Sequence, residues 1–301
     1  MTLRFDGRVA IVTGAGGGLG RAHALELARR GAKVVVNDLG AAVDGSGGSS
    51  EAAEQVVREI AQAGGEAVAD GASVADRTGA ANLAANARQT FGRIDILINN
   101  AGILRDKSFA KMRLEDFDAV LDVHLKGAVY CSHAVWPVMR EQGYGRIVMT
   151  TSSTGLYGNF GQTNYATAKM GQIGLMNTLK HEGAKHDIRT NAVCPIARTR
   201  MTEGLFPDQL MAAFDAEKVT PAVMLLASDK APSGELVCAG GGHFAKAQIV
   251  ESPGAYLGGE ATAEDVLASW DDIADMRGAE PHEAGPKQIE KFAARAMEGE
   301  S

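Results

Sequence analysis

Cysteine is scarce and unpatterned in this chain. Cys131, Cys194 and Cys238 are odd in number, scattered, and lack metal-ligand spacing. They read as reduced core thiols, which excludes a disulfide scaffold and points to a cytosol-like compartment; no metal is expected. Basic runs are absent as well. The 30 Lys and Arg stand against 37 Asp and Glu, for a net charge of −7 and a pI near 5.6, which argues against a nucleic-acid partner. No apolar stretch reaches the length of a membrane span, and the opening MTLRFDGRVAIV lacks a signal-peptide layout. A cytoplasmic protein with no membrane partner is therefore expected. There are no internal repeats, so no repeat array is expected.

What is present suits a chain that buries a sizeable core. The 301 residues are 45% hydrophobic and 22% charged, enough for one large α/β domain or two small ones. Short apolar runs alternate with helix-period segments. Strands are predicted at 8–13, 33–37, 66–70, 94–99, 146–151, 188–193 and 235–239. The runs VAIV, VVV, IDILI and RIVM are nearly continuous, as for strands buried on both faces. Helices are predicted at 19–30, 51–63, 78–91, 114–140, 162–185 and 220–228. This alternation predicts a Rossmann-type, doubly wound parallel sheet of about seven strands with helices on both faces. Ligands of such sheets bind at the carboxyl ends of the strands, near the topological switch point. Two segments look added: a Gly/Ser-rich stretch, 40–50, expected to be a mobile loop, and a C-terminal extension, 243–301. In the extension Thr262 is expected to cap a helix over 263–276 striped by Val266, Leu267, Trp270 and Ile273, with a further helix near 286–297.

Three patterns carry chemistry. The turn Thr13-Gly14-Ala15-Gly16-Gly17-Gly18-Leu19-Gly20 joins the first strand to the first helix. Glycines there permit close backbone approach to a pyrophosphate, whose charge meets the helix N-terminus. Asp38 closes the second strand 18 residues beyond Gly20. A carboxylate in that place accepts ribose hydroxyls of NAD and repels the 2′-phosphate of NADP, although Asp-Leu-Gly is also an ordinary turn. Tyr165 and Lys169 are one helical turn apart, so phenol and ammonium share a face. A free Tyr ionises near pH 10, and bringing it to about 7 takes roughly 4 kcal/mol of extra phenolate stabilisation, part of which a nearby cation supplies. Ser152, thirteen positions earlier, follows a strand-like run and can hold a substrate oxygen. Together they suggest proton transfer at an alcohol or ketone.

These motifs resemble the short-chain dehydrogenase/reductase family over about residues 5–242. The resemblance rests on Thr13, Gly14, Gly18 and Gly20, on Asn99–Gly102, and on Ser152, Tyr165 and Lys169 in that order. It implies that Tyr165 is the general acid/base, that Lys169 lowers its pKa and holds the nicotinamide ribose, and that Ser152 positions the reacting oxygen, so that Ser152 and Tyr165 bind substrate. Leu19 belongs to the phosphate turn. Ser73 and Val74 would contact adenine. Asn100, Ala101 and Gly102 would line the cofactor, and Pro195, Ala197 and Thr199 would stand on its nicotinamide side. Two departures stand out. His124 takes the place of a usual Asn, as a relay partner or as a packed structural side chain. The segment Pro195–Thr202 is one residue short of the usual pattern.

The runs VVVNDLG, NNAGILRD, DVHLKG, YGNFGQTNYATAK and RTRMT resemble one branch of the family, which contains the (3R)-hydroxyacyl-CoA dehydrogenase domain of peroxisomal multifunctional enzyme type 2. The resemblance implies an NAD-dependent step of β-oxidation on an acyl-CoA by a free-standing homodimer or homotetramer. The Gly299-Glu300-Ser301 terminus is not a peroxisomal address. The Met-rich segment 201–214 would be a substrate lid or a plain surface helix. Arg198 and Arg200 either meet the phosphates of a CoA carrier or are ordinary exposed arginines. A hydroxysteroid dehydrogenase is the main alternative. A 3-oxoacyl-carrier-protein reductase is disfavoured by Asp38, and a non-catalytic NAD sensor by the retained Ser152, Tyr165 and Lys169.

Overall fold

The computed structural model describes residues 2–198 and 213–299. Thr199, Arg200 and nearly all of the anticipated lid lie outside the described residues. By contacts the chain divides into two units, Met1–Lys246 and Ala247–Ser301.

The first unit is built on one sheet. Its strands are β1 (Val9–Thr13), β2 (Lys33–Asn37), β3 (Glu66–Asp70), β4 (Ile96–Asn99), β5 (Gly145–Thr150), β6 (Ile188–Pro195), β7 (Leu236–Gly240) and β8 (His243–Ala247), in spatial order β3-β2-β1-β4-β5-β6-β7-β8. The pairs from β3 through β7 are parallel. β1, β4 and β5 are buried along their whole length, which is why their sequences are continuous apolar runs with no alternation. The strand order reverses between β1 and β4, and the crevice of a doubly wound sheet opens there. β8 is an addition to the seven strands the sequence predicts. It follows β7 through Gly241 and Gly242, both at positive φ, the turn that closes a two-residue hairpin. His243 to Lys246 are exposed, so no apolar run marks the strand.

Helices α1 (Gly18–Arg29), α2 (Glu51–Gln62), α3 (Arg77–Phe91), α4 (Leu114–Leu121), α5 (Gly127–Gln142), α6 (Ser153–Tyr157), α7 (Thr163–Gly183) and α8 (Thr220–Ala227) flank the sheet. The single helix expected over 114–140 is interrupted: Asp122–Lys126 forms a π-turn between α4 and α5. Such one-turn widenings are rare and cluster at functional sites. Residues 40–50, expected to be a mobile loop, carry internal hydrogen bonds: Ser49 N–H donates to the Leu39 carbonyl (3.0 Å) and Ala42 N–H to the Ser46 carbonyl (2.8 Å). Among the described residues no helix is long and apolar enough to cross a membrane.

At the amino edge of the sheet, charges are buried and fully paired. Asp95 accepts from Arg8, Arg93 and the Val9 amide, and buried Arg146 donates to the carbonyls of Ser228 and Asp187. In the second unit Thr262 caps α9 (Ala263–Ala268) in a reciprocal box with Asp265. The helix expected over 263–276 breaks at Ser269 into α9 and α10 (Trp270–Ile273). Val266, Leu267 and Trp270 are exposed. The last helix is α11 (Gly285–Gly299).

His23 on α1 is wholly buried, its Nδ1 3.0 Å from Thr220 Oγ1, and burial lowers its pKa to about 3. In the unfolded chain an imidazole titrates near 6.5, so the unfolded state takes up the proton first as pH falls. The stability from keeping His23 neutral is complete above about pH 6.5 and is lost progressively towards pH 3, at up to about 1.4 kcal/mol per pH unit. His23→Gln keeps a hydrogen-bonding group without titration. Urea midpoints measured from pH 7 to pH 4 are expected to fall less steeply for this variant than for the parent chain.

Candidate active site

The cleft at the carboxyl edge has a volume of about 630 Å³ and opens over the β1/β4 crossing. Gly14, Gly18, Leu19 and Asp38 line one end and Ser73 and Val74 its floor; Asn100, Ala101 and Gly102 run along the middle; His124, Ser152, Tyr165, Lys169, Pro195 and Ala197 line the other end. Of the described residues anticipated for the site, Arg198 is not among those that line the cleft, and neither is Gly20. Gly20 acts behind it: a Cβ there would strike the Gly14 carbonyl and the Asn100 side chain, so its bareness lets α1 pack against the turn.

The turn is shaped for an anion. Gly14 (φ 63°) and Gly18 (φ 52°) are left-handed, a conformation that costs residues with a Cβ about 1 kcal/mol or more. At Gly14 a Cβ would also lie 2.7 Å from Ala101 Cα. α1 starts after Gly17 with no side-chain cap and no acidic residue in its first turn, so its leading N–H groups and positive dipole end are free for an anionic ligand. Asp38 is fixed by two backbone donors, Gly16 N–H to Oδ2 and Gly40 N–H to Oδ1, each 2.7 Å. The carboxylate therefore stands beside the turn with lone pairs left for hydroxyl groups.

Thr13 and Asn100 weld the two sides of the switch point. Asn100 Nδ2 donates to the carbonyls of Thr13 (2.9 Å) and Gly14 (3.1 Å). Thr13 Oγ1 in turn accepts from the amides of Asn100 (3.0 Å) and Ala101 (3.1 Å). Thr13 supports the site through these bonds, a part that its place in the glycine-turn motif did not specify. The signal was there, in a hydroxyl residue closing a strand just before a glycine turn.

Ser152, Tyr165 and Lys169 come from two elements. Ser152 caps α6, its Oγ accepting Thr154 N–H (3.2 Å) and bonding Tyr165. α7 places Tyr165, Lys169 and Gln172 at i, i+4 and i+7, hence on one face. Lys169 is buried. Its Nζ donates to the Thr150 carbonyl (2.5 Å) and lies 5.4 Å from the centre of the Tyr165 ring. Burial lowers the Lys169 pKa to about 7. Burial also pushes Tyr165 up to about 12, against the bond from Ser152, which lowers it. Within the protein each charge is disfavoured alone.

His124, in the π-turn, is buried. Its Nε2 lies 3.0 Å from the Ile103 amide and 2.8 Å from the Ile103 carbonyl, while Nδ1 has no partner among the described residues. Its ring meets that of Tyr165 edge-on, with centroids 5.1 Å apart at 89°. Burial, and then the charge of Lys169, hold its pKa well below the usual imidazole range, so the ring is neutral. The His124 carbonyl accepts from Gln172 Nε2 (2.8 Å), joining the π-turn to α7.

Two further participants escaped sequence reasoning. Asn164 accepts the Tyr165 amide (2.8 Å) and donates to the Arg105 carbonyl (3.0 Å). The tip of the 40–50 segment, Ala41 to Val43 with Gly45, forms part of the cleft wall. Among the described residues, no cluster of three or more His, Cys, Asp or Glu side chains is arranged to hold a metal ion.

With this geometry in hand, likeness to known proteins becomes informative. Residues 8–210 match the family model described as short chain dehydrogenase. A short-chain type dehydrogenase/reductase of Mycobacterium tuberculosis is 49% identical over 273 residues, covering 90% of this chain and 96% of that protein. Peroxisomal multifunctional enzyme type 2 of Drosophila melanogaster is 49% identical over 279 residues, which cover 91% of this chain and 46% of that enzyme. Its full-length structure superposes with a TM-score of 0.84 at 40% identity over 98% of this chain, which thus spans about half of it. A 7α-hydroxysteroid dehydrogenase solved with NADH and 7-oxo glycochenodeoxycholic acid superposes with a TM-score of 0.72 at 29% identity, over 79% of this chain and 95% of that one.

Gly14→Ala would place a methyl group against Ala101 in a left-handed backbone. A stability loss of about 1–3 kcal/mol is expected. Urea denaturation of the variant and the parent at one pH measures it.

Proposed function

The chain belongs to the short-chain dehydrogenase/reductase family, and from that membership we propose that it is an NAD-dependent enzyme interconverting (3R)-hydroxyacyl-CoA and 3-ketoacyl-CoA. The observation that carries the chemistry is the placement of the Tyr165 phenol beside Ser152 and Lys169, in the same cleft as the bare N-terminus of α1 and Asp38. The shared 49% identity with the multifunctional enzyme over most of this chain supports the substrate class.

The residues present fit the dinucleotide. The Gly14–Gly18 turn lines the cleft with left-handed backbone at both ends, and the first amides of α1 suit a pyrophosphate. Asp38 suits the ribose hydroxyls and disfavours a 2′-phosphate, which selects NAD over NADP. Ser73 and Val74 would hold the adenine end, and Lys169 the ribose of the nicotinamide end. When bound, NAD accepts the hydride from the carbinol carbon.

The protein's own part is to orient the alcohol and take its proton. Ser152 and Tyr165 hold the C3 hydroxyl from two sides. Phenolate oxygen at Tyr165 receives the proton, and in the reverse direction the phenol returns it. Buried Lys169 stabilises that phenolate, because an ammonium and a phenolate that are each costly alone offset one another as a pair. His124 acts by position rather than as a relay. Its neutral ring buttresses Tyr165 and holds Ile103, and its depressed pKa keeps it from carrying a proton at neutral pH.

Reduction of NAD is to be followed with a (3R)-3-hydroxyacyl-CoA and, in parallel, with a panel of hydroxysteroids. Faster turnover of the acyl-CoA is expected. Preference for a steroid would transfer the proposal to the hydroxysteroid class, which the superposition with a bile-acid enzyme favours. Tyr165→Phe is expected to reduce turnover roughly 10²–10⁴-fold while NADH fluorescence titration shows binding retained. Activity near that of the parent would remove Tyr165 from the proton-transfer role.

A further inference from the structure

The 40–50 segment leaves β2 just after Asp38 and crosses to the opposite wall of the cleft. Its tip is locally preformed. Gly45 N–H donates to the Ala42 carbonyl (2.9 Å), and Asp44 Oδ1 accepts from the Ser46 amide (2.9 Å) and hydroxyl (2.7 Å). On the far wall the tip is tied at two points: Leu104 N–H donates to the Val43 carbonyl (2.9 Å), and Arg105 Nε donates to the Asp44 carbonyl (2.8 Å). Ile103 packs beside Gly45, close enough that a Cβ there would lie 3.2 Å from its Cδ1.

Arg105 has a second and a third attachment. Its Nη1 donates to Asp116 Oδ1 on α4 (3.0 Å), and its carbonyl accepts from Asn164, whose Oδ1 accepts the Tyr165 amide. One side chain therefore joins the strap to α4, and its backbone joins both to the start of α7. These two partners engage two of the five guanidinium N–H groups, one on each side of the strap's anchor. The strap itself is made mostly of Gly, Ala and Ser. With few apolar anchors and two cross-cleft hydrogen bonds, it belongs to the class of segments that open locally well before the core does.

We propose that Arg105 is a positioning residue that latches the 40–50 strap across the cofactor cleft, so that the latch must release each time the dinucleotide enters or leaves. The inference rests on the NAD reading of the cleft. It goes beyond that reading in making cofactor exchange a gated step controlled by a side chain outside the glycine turn and the Ser152–Tyr165–Lys169 set. Gating of this kind sets turnover in many enzymes. Arg is suited to the role because its planar fork serves the Asp44 carbonyl and the Asp116 carboxylate at once, which the single ammonium of a Lys does not match.

The test is stopped-flow fluorescence of NADH association and release, with amide hydrogen exchange at Leu104. Arg105→Ala is expected to speed NADH release roughly tenfold, the effect of losing a charge-assisted hydrogen bond. Association is expected to be no slower than in the parent, and the Leu104 amide is expected to exchange faster. Arg105→Lys is expected to fall between the two. Asp44→Ala, which loosens the tip at an exposed position, is expected to shift release in the same direction and serves if Arg105→Ala does not fold. Slower association together with faster release would mark general damage to the cleft and overturn the latch. Release within twofold of the parent in the folded variants would also overturn it, while leaving the cofactor reading intact. A parent chain that takes up no NADH overturns both.

Discussion

For Tyr165 to act in the proposed role, a phenol has to ionise inside a protein cleft, and the rest of the proposed site depends on that constraint. Burial pushes Tyr165 up to about 12 and Lys169 down to about 7. Taken singly, both groups are neutral across the interval between those values. Bringing the phenol from about 12 to about 7 is five pK units, roughly 7 kcal/mol. No one hydrogen bond supplies that much. The structure spreads the demand over a hydroxyl from Ser152, a buried ammonium at i+4, and a positive charge that a bound nicotinamide would add. The same burial that opposes each ion alone strengthens their mutual attraction once both form.

The architecture determines where such a set can be assembled. Reversal of strand order between β1 and β4 opens the crevice, and the Thr13–Asn100 bonds keep its walls in register. A helix N-terminus and a fixed carboxylate then sit at one end, and the face of α7 at the other. The two edges of the sheet differ in kind. At the amino edge Asp95 and Arg146 are buried with every charge partnered, as structural ions must be. At the carboxyl edge His124 Nδ1, Thr150 Oγ1 and Gln172 Oε1 are buried without partners among the described residues. Those atoms lie on residues in contact with Tyr165 or Lys169, or one helical turn from them, the kind of place where unsatisfied polar groups persist for function.

Much of this was legible in the sequence, for physical reasons that also explain what was not. Fully buried parallel strands announce themselves as unbroken Val and Ile runs, so β1, β2 and β4 were visible. A glycine turn placed between a strand and a helix has few other uses, and an i, i+4 Tyr–Lys pair has one geometry. β8 was hidden because an exposed edge strand needs no apolar run. The π-turn at Asp122–Lys126 was hidden because a widened turn keeps the composition of the helix around it. The ties of the strap were hidden because composition reports the flexibility of its Gly and Ser residues and not the partners that Leu104 and Arg105 supply from about sixty residues away. Asn164 had no period or motif of its own to reveal that it fixes the start of the helix carrying Tyr165.

The claim at the centre of this account is that the protein withholds the phenolate until the cofactor's charge arrives. Ultraviolet difference titration of the parent chain against Tyr165→Phe isolates the ionisation of that one phenol, with and without saturating NAD. The account predicts a transition near pH 12 in the protein alone that moves down by several units when NAD is present. An unchanged transition in the presence of bound NAD, or one already near neutrality in the protein alone, would contradict it.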